Sequence, residues 1–524
     1  MRKIYLLDCT LRDGGYINDW EFGEETIKGF GKKIAKTGIE IYEVGFIKGD
    51  TYDPNKSVFP DIQSISGMIC PKDENLMYVG MVDMSAPIPL ERIVPYDGTS
   101  IDGIRVIFKK EKIDLAYKYC ERIKELGYKV FVNFVGTDLY SDEEFIAGIH
   151  KFNELHPFAV SIVDSFGLIK RKHFLRLIYL ADNNLAEGIV LAYHAHNNLQ
   201  QAFGNAEALV EMNLKRDLCI DACVFGMGRG AGNLNLELFA EYMNDNYDTK
   251  YRIEPMLEIM DEYLNDIYQK KFWGYSLPLY LSASTGCHPN YAIYLAEKNS
   301  LTVKAFNELL KGIPKEDKAK FSKDNAEKYY RQYQESYIDD KEVVDKLSSE
   351  LAGKKVLLLA PGSSLMKNYE KVNSEILKDD TVTIAVNFMS DKFNLDYIFS
   401  SNMRRYQKIQ GKIDVQCIIT SNMGNCDNGE YVVNFSSYAM DKPEIIDNSG
   451  LMALKLLVAA GVKEVTIAGM DGYSTYSSDD YFDRNLEYDF SKVADLRNKL
   501  ISDELKEINK VMKISFITPT DLEI

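Results

Sequence analysis

Residues 188–196 read GIVLAYHAH, an apolar run of strand length that ends in polar side chains. Nearly continuous apolar runs of this kind are typical of strands that are covered on both faces, as the strands of a parallel sheet are. Seven further runs share this character, and amphipathic stretches separate them. The eight runs are KIYLLDC (3–9), IEIYEVGF (39–46), NLMYVGMVD (75–83), IDGIRVIF (101–108), YKVFVNFVG (128–136), FAVSIVD (158–164), GIVLAYHAH (188–196) and DLCIDACVF (217–225).

The regular alternation of these strands with helical segments indicates the fold class of the first half. Segments such as EETIKGFGKKIAKTG are amphipathic and end in a glycine, as helices with a glycine C-cap do. Eight β-α repeats predict an α/β fold with a closed (β/α)8 TIM barrel. A doubly wound open sheet is the alternative.

The chain of 524 residues is too long for one barrel, which takes about 250 residues. Residues 314–350 are highly charged, and a new strand pattern then opens with KKVLLLAPGSSL. We predict a barrel over residues 1–250, a helical extension and linker over 251–350, and a second, open-sheet α/β (Rossmann-like) domain over 351–524.

Composition excludes several classes of function. The net charge of −17 argues against general binding to nucleic acid, and no apolar run of about 20 residues could span a bilayer. The eight cysteines are scattered without zinc-site spacing, which is typical of reduced thiols in a cytosolic protein. We therefore expect a cytoplasmic homo-oligomer that binds neither nucleic acid nor membranes.

Polar side chains collect at the ends of the predicted barrel strands, where barrel enzymes have their active sites. His194 and His196 lie two residues apart on one strand, so they project from the same face and can bind one ion. A carboxylate from the first strand would complete a divalent-ion site, and the local pattern leaves Asp8 and Asp13 both open. The polar residues at this rim are Asp8, Arg12, Asp13, Glu43, Arg105, Asn133, Asp164, His194, His196 and Asn197.

Three motifs in order, LLDCTLRDGGYINDW, AYHAHNN and GMGRGAGN, resemble the DRE-TIM metallolyase superfamily over about residues 1–300. That superfamily includes 4-hydroxy-2-oxovalerate aldolase, hydroxymethylglutaryl-CoA lyase and the isopropylmalate synthases, and the first two are the nearest in pattern. The resemblance implies that Asp13, His194 and His196 hold Mn²⁺ or Mg²⁺, with Zn²⁺ or Co²⁺ as alternatives. It also implies Asn233 as a fourth ligand.

The resemblance further implies a class II aldolase or lyase that makes or breaks a carbon–carbon bond. A 2-keto acid such as pyruvate can chelate the ion, whose charge stabilises the enolate when the neighbouring bond breaks. Arg12 would add a second positive charge at the enolate oxygen; the alternative is an ion pair with Glu43 or Asp164. The other candidates are Glu43 for catalysis and Arg105, Asn133, Asp164 and Gly230 for substrate binding.

The sequence departs from the aldolases at the acid/base. These enzymes carry a histidine soon after RDG, and here Tyr16 stands at the matching position. The other candidates are His288 and Tyr291 in TGCHPNYA, and a metal-bound water could also serve. For His288 the alternative is a helix-start residue ahead of Pro289. The glycines of GMGRGAGN allow close approach to an anionic ligand, a carboxylate or a phosphate.

The second domain has its own group of polar strand ends, following LLLAPGSSL, AVNF and the NSG helix start. This order resembles, more loosely, the sialyltransferase-like family of bacterial glycan enzymes, which bind a cytidine nucleotide sugar. The resemblance implies contacts to a nucleotide or its sugar; the alternative is a tight turn with ordinary helix N-caps. The residues concerned are Gly362, Ser363, Asn387, Ser449 and Gly450.

Together these observations predict an aldolase that joins a 2-keto acid to an aldehyde, which could be a nucleotide-linked sugar. One alternative is a Claisen condensation with acetyl-CoA, as in isopropylmalate synthase. Another is a glycosyltransferase activity in the second domain with the barrel as a scaffold. The intact set of aspartate and two histidines argues against a barrel without chemistry.

Overall fold

The computed structural model describes residues 2–69, 71–410, 415–423, 430–475 and 480–524. These residues form two compact units, Met1–Pro289 and Asn290–Ile524.

The first unit contains a closed parallel barrel. Its strands lie in the order β1-β9-β8-β7-β6-β5-β4-β2, and pairing of β1 with β2 closes the ring; the short β3 extends the edge of β2. The strands are β1 (Ile4–Asp8), β2 (Ile41–Ile47), β3 (Val58–Phe59), β4 (Met77–Asp83), β5 (Gly103–Phe108), β6 (Lys129–Phe134), β7 (Ala159–Asp164), β8 (Val190–Ala195) and β9 (Leu218–Ala222). The predicted TIM barrel is confirmed, and each predicted run contains one of the eight barrel strands.

Helices follow the strands and cover the sheet. Their apolar faces are buried because the barrel strands are apolar on both faces, as in Phe30 and Ile34 of the first long helix. The α-helices between the strands and after β9 are Gly15–Asn18, Glu24–Ile34, Gln63–Ile69, Ile113–Glu125, Asp142–Asn153, Arg171–Asn184, Ala202–Glu211 and Leu236–Tyr247.

A helical extension completes the first unit. It comprises Glu254–Ile259, a π-helical turn at Met260–Leu264, Asn265–Lys270 and Leu277–Thr285. The Trp273 indole N–H donates to the Phe225 carbonyl at 2.9 Å, so this segment contacts the loop that follows β9. The extension therefore packs beside the carboxyl-end rim of the barrel.

The second unit is built on an open, fully parallel sheet of seven strands. The strands are β10 (Lys355–Leu359), β11 (Thr381–Val386), β12 (Tyr397–Ser400), β13 (Gln416–Thr420), β14 (Tyr431–Val433), β15 (Glu464–Ala468) and β16 (Lys513–Phe516). Their order is β14-β13-β12-β11-β10-β15-β16, so the winding reverses between β10 and β15. The predicted open-sheet fold is confirmed, and β14 and β16 form the two edges of the sheet.

Helices of the second unit both precede and cover this sheet. They are Pro289–Glu297, which begins at the last residue of the first unit, Val303–Gly312, Lys315–Lys318, Lys323–Gln334, Lys341–Leu351, Ser364–Lys367, Tyr369–Ile376, Met403–Ile409, Phe435–Tyr438, Ser449–Ala459 and Ala494–Asn509. Among all described helices, none combines the length and the apolar character needed to cross a bilayer.

Candidate metal centre and active site

Asp13 reaches the rim of the barrel through a π-helical turn, Thr10–Gly14, that follows β1 almost at once. The other carboxylate left open by the sequence, Asp8, accepts a hydrogen bond from the Thr10 hydroxyl at 2.5 Å. That hydroxyl in turn accepts the Val224 N–H at 2.8 Å. Asp8 therefore holds two loops together, while Asp13 faces the histidines.

The two histidines lie at the carboxyl end of β8, next to Asp13. Nε2 of His194 is 3.4 Å from Asp13 Oδ2, and Nε2 of His196 is 4.0 Å from Asp13 Oδ1. The candidate ligand atoms of the three residues all lie within 4.8 Å of one another, and the three side chains are buried. The predicted trio is thus assembled in one place.

The chemistry of these donors fits a divalent cation. One carboxylate and two imidazoles suit several first-row ions and leave positions open for a substrate. Asn233, the fourth predicted ligand, donates its amide to Asp13 Oδ1 at 3.1 Å. Two buried atoms here, Nδ1 of His196 and Oδ1 of Asn233, have no hydrogen-bond partner among the described residues. Orphaned buried polar atoms of this kind are rare without a ligand.

Opposing charges dominate the electrostatics of the trio. Burial alone would raise the pKa of Asp13, but the Arg12 guanidinium and the histidines hold it well below its usual value. Burial would lower the pKa of His194, but the carboxylates of Asp13 and Asp221 raise it well above normal. Burial lowers the pKa of His196 to about 4, so this imidazole is neutral at pH 7. A neutral imidazole has the lone pair that a metal ligand needs.

A closed ring of paired polar side chains inside the barrel includes two members of the trio, Asp13 and His194. Nε of Arg12 donates to Glu43 Oε2 at 2.7 Å, and Nη1 of Arg105 donates to the same oxygen at 3.1 Å. Arg105 also pairs with Asp221, whose Oδ2 lies 3.1 Å from Nδ1 of His194. Arg12 closes the ring by pairing with Asp13. Each ring member is at least 95% buried, so each is held firmly in place.

A second set of potential ligands, Cys9, His194 and Asp221, shares one histidine with the trio. Burial raises the pKa of the Cys9 thiol well above normal, and its sulfur contacts Cys223 at 3.4 Å. Because the thiolate is the form that binds metals, this set is the poorer site. Asp221 instead orients His194 from behind, as carboxylates commonly do for metal-binding histidines.

Two of the predicted acid/base candidates, Tyr16 and His288, meet around an arginine. The side chain of Arg229 donates to Nε2 of His288, and its guanidinium carbon is 5.7 Å from the centroid of the Tyr16 ring. Burial raises the pKa of Tyr16, so it is a phenol at pH 7. Burial lowers the pKa of His288 to about 3, and the charge of Arg229 adds to this effect.

Other residues named from the sequence have different surroundings. Asn133 lies inside the barrel, where Ser161 donates to its Oδ1 at 3.3 Å. Both oxygens of Asp164 accept backbone N–H groups of its own loop, at 2.8 and 3.0 Å. Gly230 has a φ of 67°, and a Cβ there would come within 2.8 Å of Asn198. The Tyr291 hydroxyl, in the second unit, donates to the Lys320 carbonyl at 3.2 Å.

Four of the five residues predicted to bind a nucleotide, Gly362, Asn387, Ser449 and Gly450, line one crevice of the second unit, and Ser363 is not among its lining residues. It opens at the carboxyl ends of β10 and β15, where the winding of the sheet reverses and where open α/β sheets bind ligands. Nδ2 of Asn387 donates to the Ser449 hydroxyl at 2.6 Å. A Cβ on Gly362 would lie 2.3 Å from the Gly469 carbonyl, and one on Gly450 would lie 2.6 Å from Met470. Ser363 accepts a hydrogen bond from Lys367 at 3.1 Å.

Sequence reasoning missed four charged residues of these sites. Asp221 is a carboxylate within an otherwise apolar strand, which is a signal that could have been used. Arg229 lies inside the quoted glycine-rich motif. Arg405 and Arg497 line the crevice of the second unit, and nothing local distinguishes them from surface arginines.

The comparison with protein families matches the model described as HMGL-like over residues 3–261. Residues 3–261 form an HMGL-like domain. The predicted resemblance of the first half to the DRE-TIM superfamily is thereby confirmed. The domain is that of a metal-dependent aldolase or lyase. For the second unit, the resemblance to sialyltransferase-like proteins stays a prediction.

Curated relatives match the same part of the chain. Oxaloacetate decarboxylase of Mycobacterium tuberculosis is 23% identical over 244 residues, which is 45% of this chain and 68% of the relative. 4-Hydroxy-2-oxovalerate aldolase of Carboxydothermus hydrogenoformans is 24% identical over 243 residues, which is 45% of this chain and 69% of the relative.

Solved structures are similar to the chain at low identity. HMG-CoA lyase of Brucella melitensis has a TM-score of 0.41 and 14% identity, covering 52% of this chain and 99% of that one. The carboxyl transferase domain of Rhizobium etli pyruvate carboxylase, solved with pyruvate, has a TM-score of 0.48 and 14% identity, covering 67% and 64%.

Proposed function

We propose that the HMGL-like domain makes or breaks a carbon–carbon bond to C3, the carbon next to the keto group, of pyruvate or a related 2-keto acid. The observation that carries this proposal is the buried trio of Asp13, His194 and His196 with the Arg12 guanidinium beside it. The relatives support it, because 4-hydroxy-2-oxovalerate and oxaloacetate are both 2-keto acids by name. Aldol cleavage and decarboxylation of such acids leave negative charge on the same keto oxygen.

Asp13, His194, His196 and Asn233 would hold the divalent cation. When bound, the cation supplies positive charge next to the keto oxygen of the substrate. Arg12 contributes a permanent second positive charge, and Glu43 fixes its orientation through the 2.7 Å bond to Nε. Because Arg12 is 3% exposed, little water screens its charge.

The candidates for proton transfer, Tyr16 and His288, lie at the mouth of the site. Tyr16 carries its proton at pH 7, so it acts as a donor rather than as a base in the resting enzyme. His288 is neutral and accepts the Arg229 N–H, which leaves its ring oriented by that bond. We assign proton donation to Tyr16 and positioning of Arg229 to His288.

Metal removal and reconstitution test the barrel proposal. The full chain is stripped with a chelator, reloaded with Mn²⁺ or Mg²⁺, and incubated with pyruvate in deuterated water. We expect exchange of the methyl hydrogens that depends on the ion and is absent in His194→Ala. The exposed His150, in the helix Asp142–Asn153, provides a matched control, because His150→Ala should exchange at the wild-type rate. Loaded protein that neither exchanges pyruvate nor cleaves any 2-keto acid would rule the proposal out.

For the second unit, we propose a site for a nucleotide or a nucleotide-linked sugar. Two arginines in the crevice support it. The guanidinium of Arg405 stacks on Tyr488 at 4.5 Å, and that of Arg497 stacks on Phe490 at 4.1 Å. Within the described residues, neither arginine has a carboxylate within 4.0 Å, and Nε of each is buried without a partner. Phosphate groups suit such guanidinium groups.

Calorimetric titration of the full chain tests the nucleotide site. Cytidine monophosphate should bind, and Arg405→Gln should weaken binding about tenfold or more, as the loss of a charged hydrogen bond does. Arg176→Gln, at an exposed position of the first unit, serves as the control. Absence of binding across nucleotides and nucleotide sugars would remove this part of the proposal. Binding of acetyl-CoA in the barrel instead would favour the Claisen alternative.

A further inference from the structure

Arg229 occupies an unusual electrostatic position at the mouth of the metal site. Its side chain is partly buried, and burial lowers its pKa. Its contacts are the imidazole of His288, which is neutral at pH 7, and the face of the Tyr16 ring. The charge of Asp13 favours the guanidinium from a distance, but no carboxylate of the described residues lies within 4.0 Å of it. A partly buried guanidinium without a directly paired carboxylate is costly, so such a group is typical of a site that receives an anion.

The backbone packs closely on both sides of Arg229, against the predicted metal ligands on one side and against Asn198 on the other. A Cβ on Gly228 would lie 2.1 Å from Nδ2 of Asn233 and 3.1 Å from Oδ1 of Asp13. Beyond Gly230, the Ala231 N–H donates to Asn198 Oδ1 at 2.7 Å. Because its two neighbours pack this closely, Arg229 is held beside the reacting centre and not on a loose loop.

A second cation, Lys48, contacts the aromatic ring that packs against Tyr16. Nζ of Lys48 is 3.7 Å from the centroid of the Trp20 ring, which packs edge-on against the Tyr16 ring at 4.9 Å. Burial lowers the pKa of Lys48 and the charge of Asp83 opposes this shift, but Asp83 and Lys48 are too far apart to form an ion pair. Asp83 instead accepts a hydrogen bond from the Ser85 N–H. Within the described residues Lys48 also has no carboxylate partner.

These cations stand out in a chain with 79 acidic and 62 basic residues. Arg229 and Lys48 follow the carboxyl ends of β9 and β2, so both belong to the face of the barrel where the substrate enters. The 2-keto acid already has a guanidinium, Arg12, beside Asp13. Arg229 instead lies next to Tyr16 and His288. Tyr16 is the proposed proton donor, so the second substrate has to lie close to it.

We propose that Arg229, together with Lys48, binds a carboxylate or phosphate group of the second substrate, the carbonyl compound that the 2-keto acid joins or releases. This inference rests on the proposed function of the barrel and narrows its substrate class to anionic aldehydes. A planar guanidinium can donate two parallel hydrogen bonds to either anion. His288 is a positioning residue here, because its ring nitrogen accepts one N–H and directs the remaining donors.

Calorimetric titration of the metal-loaded full chain tests the inference with four probes. These are glycolaldehyde phosphate, succinate semialdehyde, neutral glycolaldehyde and pyruvate. We expect one of the two anionic aldehydes to bind at least tenfold more tightly than glycolaldehyde. Which of the two binds more tightly shows whether the site prefers a phosphate or a carboxylate. In Arg229→Gln the Kd of the anionic aldehyde divided by the Kd of pyruvate should rise about tenfold or more. In Arg229→Lys this ratio should rise less, because lysine keeps the positive charge.

The exposed Arg122 gives a matched control, since Arg122→Gln should keep every dissociation constant at its wild-type value. Three results would overturn the inference: no preference for an anionic aldehyde, an unchanged ratio in Arg229→Gln, or a larger loss for pyruvate than for the aldehyde. Circular dichroism of each variant checks that it folds. If pyruvate exchange fails in the wild type, the proposed function falls, while the titration with anionic aldehydes still reports on Arg229.

Discussion

At the scale of single residues, Asp221 joins the charged ring to the metal site. Its carboxylate accepts from Nδ1 of His194 at 3.1 Å and also pairs with Arg105. It therefore fixes which imidazole nitrogen faces Asp13. No sequence motif identifies Asp221, because its role depends on His194. The pairing of β8 with β9 brings these two residues together.

Replacing Asp221 tests this role. In Asp221→Asn we expect the Kd for Mn²⁺ to rise about 10- to 100-fold, as is usual when the carboxylate behind a metal-binding histidine is removed. The measurement is a metal titration of the chelator-treated full chain. Asp182→Asn removes a partner of Arg216 in the same unit and should leave the Kd unchanged. An unchanged Kd in Asp221→Asn would contradict the role.

Asp8 makes the stability of the protein depend on pH. Burial raises its folded pKa to about 7, while an unfolded aspartate has a pKa near 3.9. The folded state thus holds a proton that the unfolded state has lost, so the free energy of unfolding falls as pH rises from about 4 to about 7. Above pH 7 this loss is complete and on the order of a few kcal/mol.

Asp8→Asn should remove most of this fall in the free energy of unfolding with rising pH. We expect the difference in Tm between pH 5 and pH 8 to be smaller in Asp8→Asn than in the wild type, measured by differential scanning calorimetry. The exposed Asp266 supplies the control, and Asp266→Asn should keep the wild-type difference. An equal pH dependence in all three proteins would show that Asp8 is ionised throughout this range.

At the scale of elements, the bend in β2 depends on a glycine. The pairing of β2 with β4 shifts register between Glu43 and Phe46, and Gly45 in between has a φ of 154°. A Cβ at Gly45 would lie 2.1 Å from the Ser57 carbonyl. This irregularity lets β2 pair with β3 on one side while Glu43 reaches Arg12 and Arg105 inside the barrel.

Gly45→Ala should therefore destabilise the barrel by about 2–3 kcal/mol, as overpacking of a buried site does. Gly67→Ala is the matched control, since a Cβ at Gly67 meets nothing within 4 Å in the helix Gln63–Ile69. That change should be neutral or stabilising by up to about 1 kcal/mol. Thermal unfolding of both variants makes the comparison, and similar Tm values would refute the packing argument.

At the scale of the whole molecule, the chain divides into two units, each with its own parallel sheet and proposed ligand. A ligand stabilises the unit that binds it in proportion to the logarithm of its concentration over Kd. We expect saturating Mn²⁺ to raise one calorimetric transition by about 5 °C or more, and cytidine monophosphate to raise the other.

His194→Ala should abolish the shift by Mn²⁺ and keep the shift by the nucleotide, whereas Asn387→Ala should do the reverse. The two variants act as controls for each other in the same scan. A single transition that both ligands raise together would contradict independent unfolding of the two units.

The sequence by itself determined the fold class and much of the metal site. Eight apolar runs with helical segments between them are a local property, and the HAH spacing places two imidazoles on one face of a strand wherever that strand lies. The RDG, HAH and GAGN motifs could be assigned because a family resemblance supplied their shared geometry. Asp13 and Asp8 could not be separated by pattern alone.

Only the tertiary structure decided which charges face one another. Barrel closure brings Glu43 of β2, Arg105 of β5 and Asp221 of β9 into one buried ring, although they are far apart in the chain. The same is true of Tyr16, Arg229 and His288, which come from three distant segments. Periodicity and spacing report the direction of a side chain along its own element, but the partner of a charge is set by packing between elements.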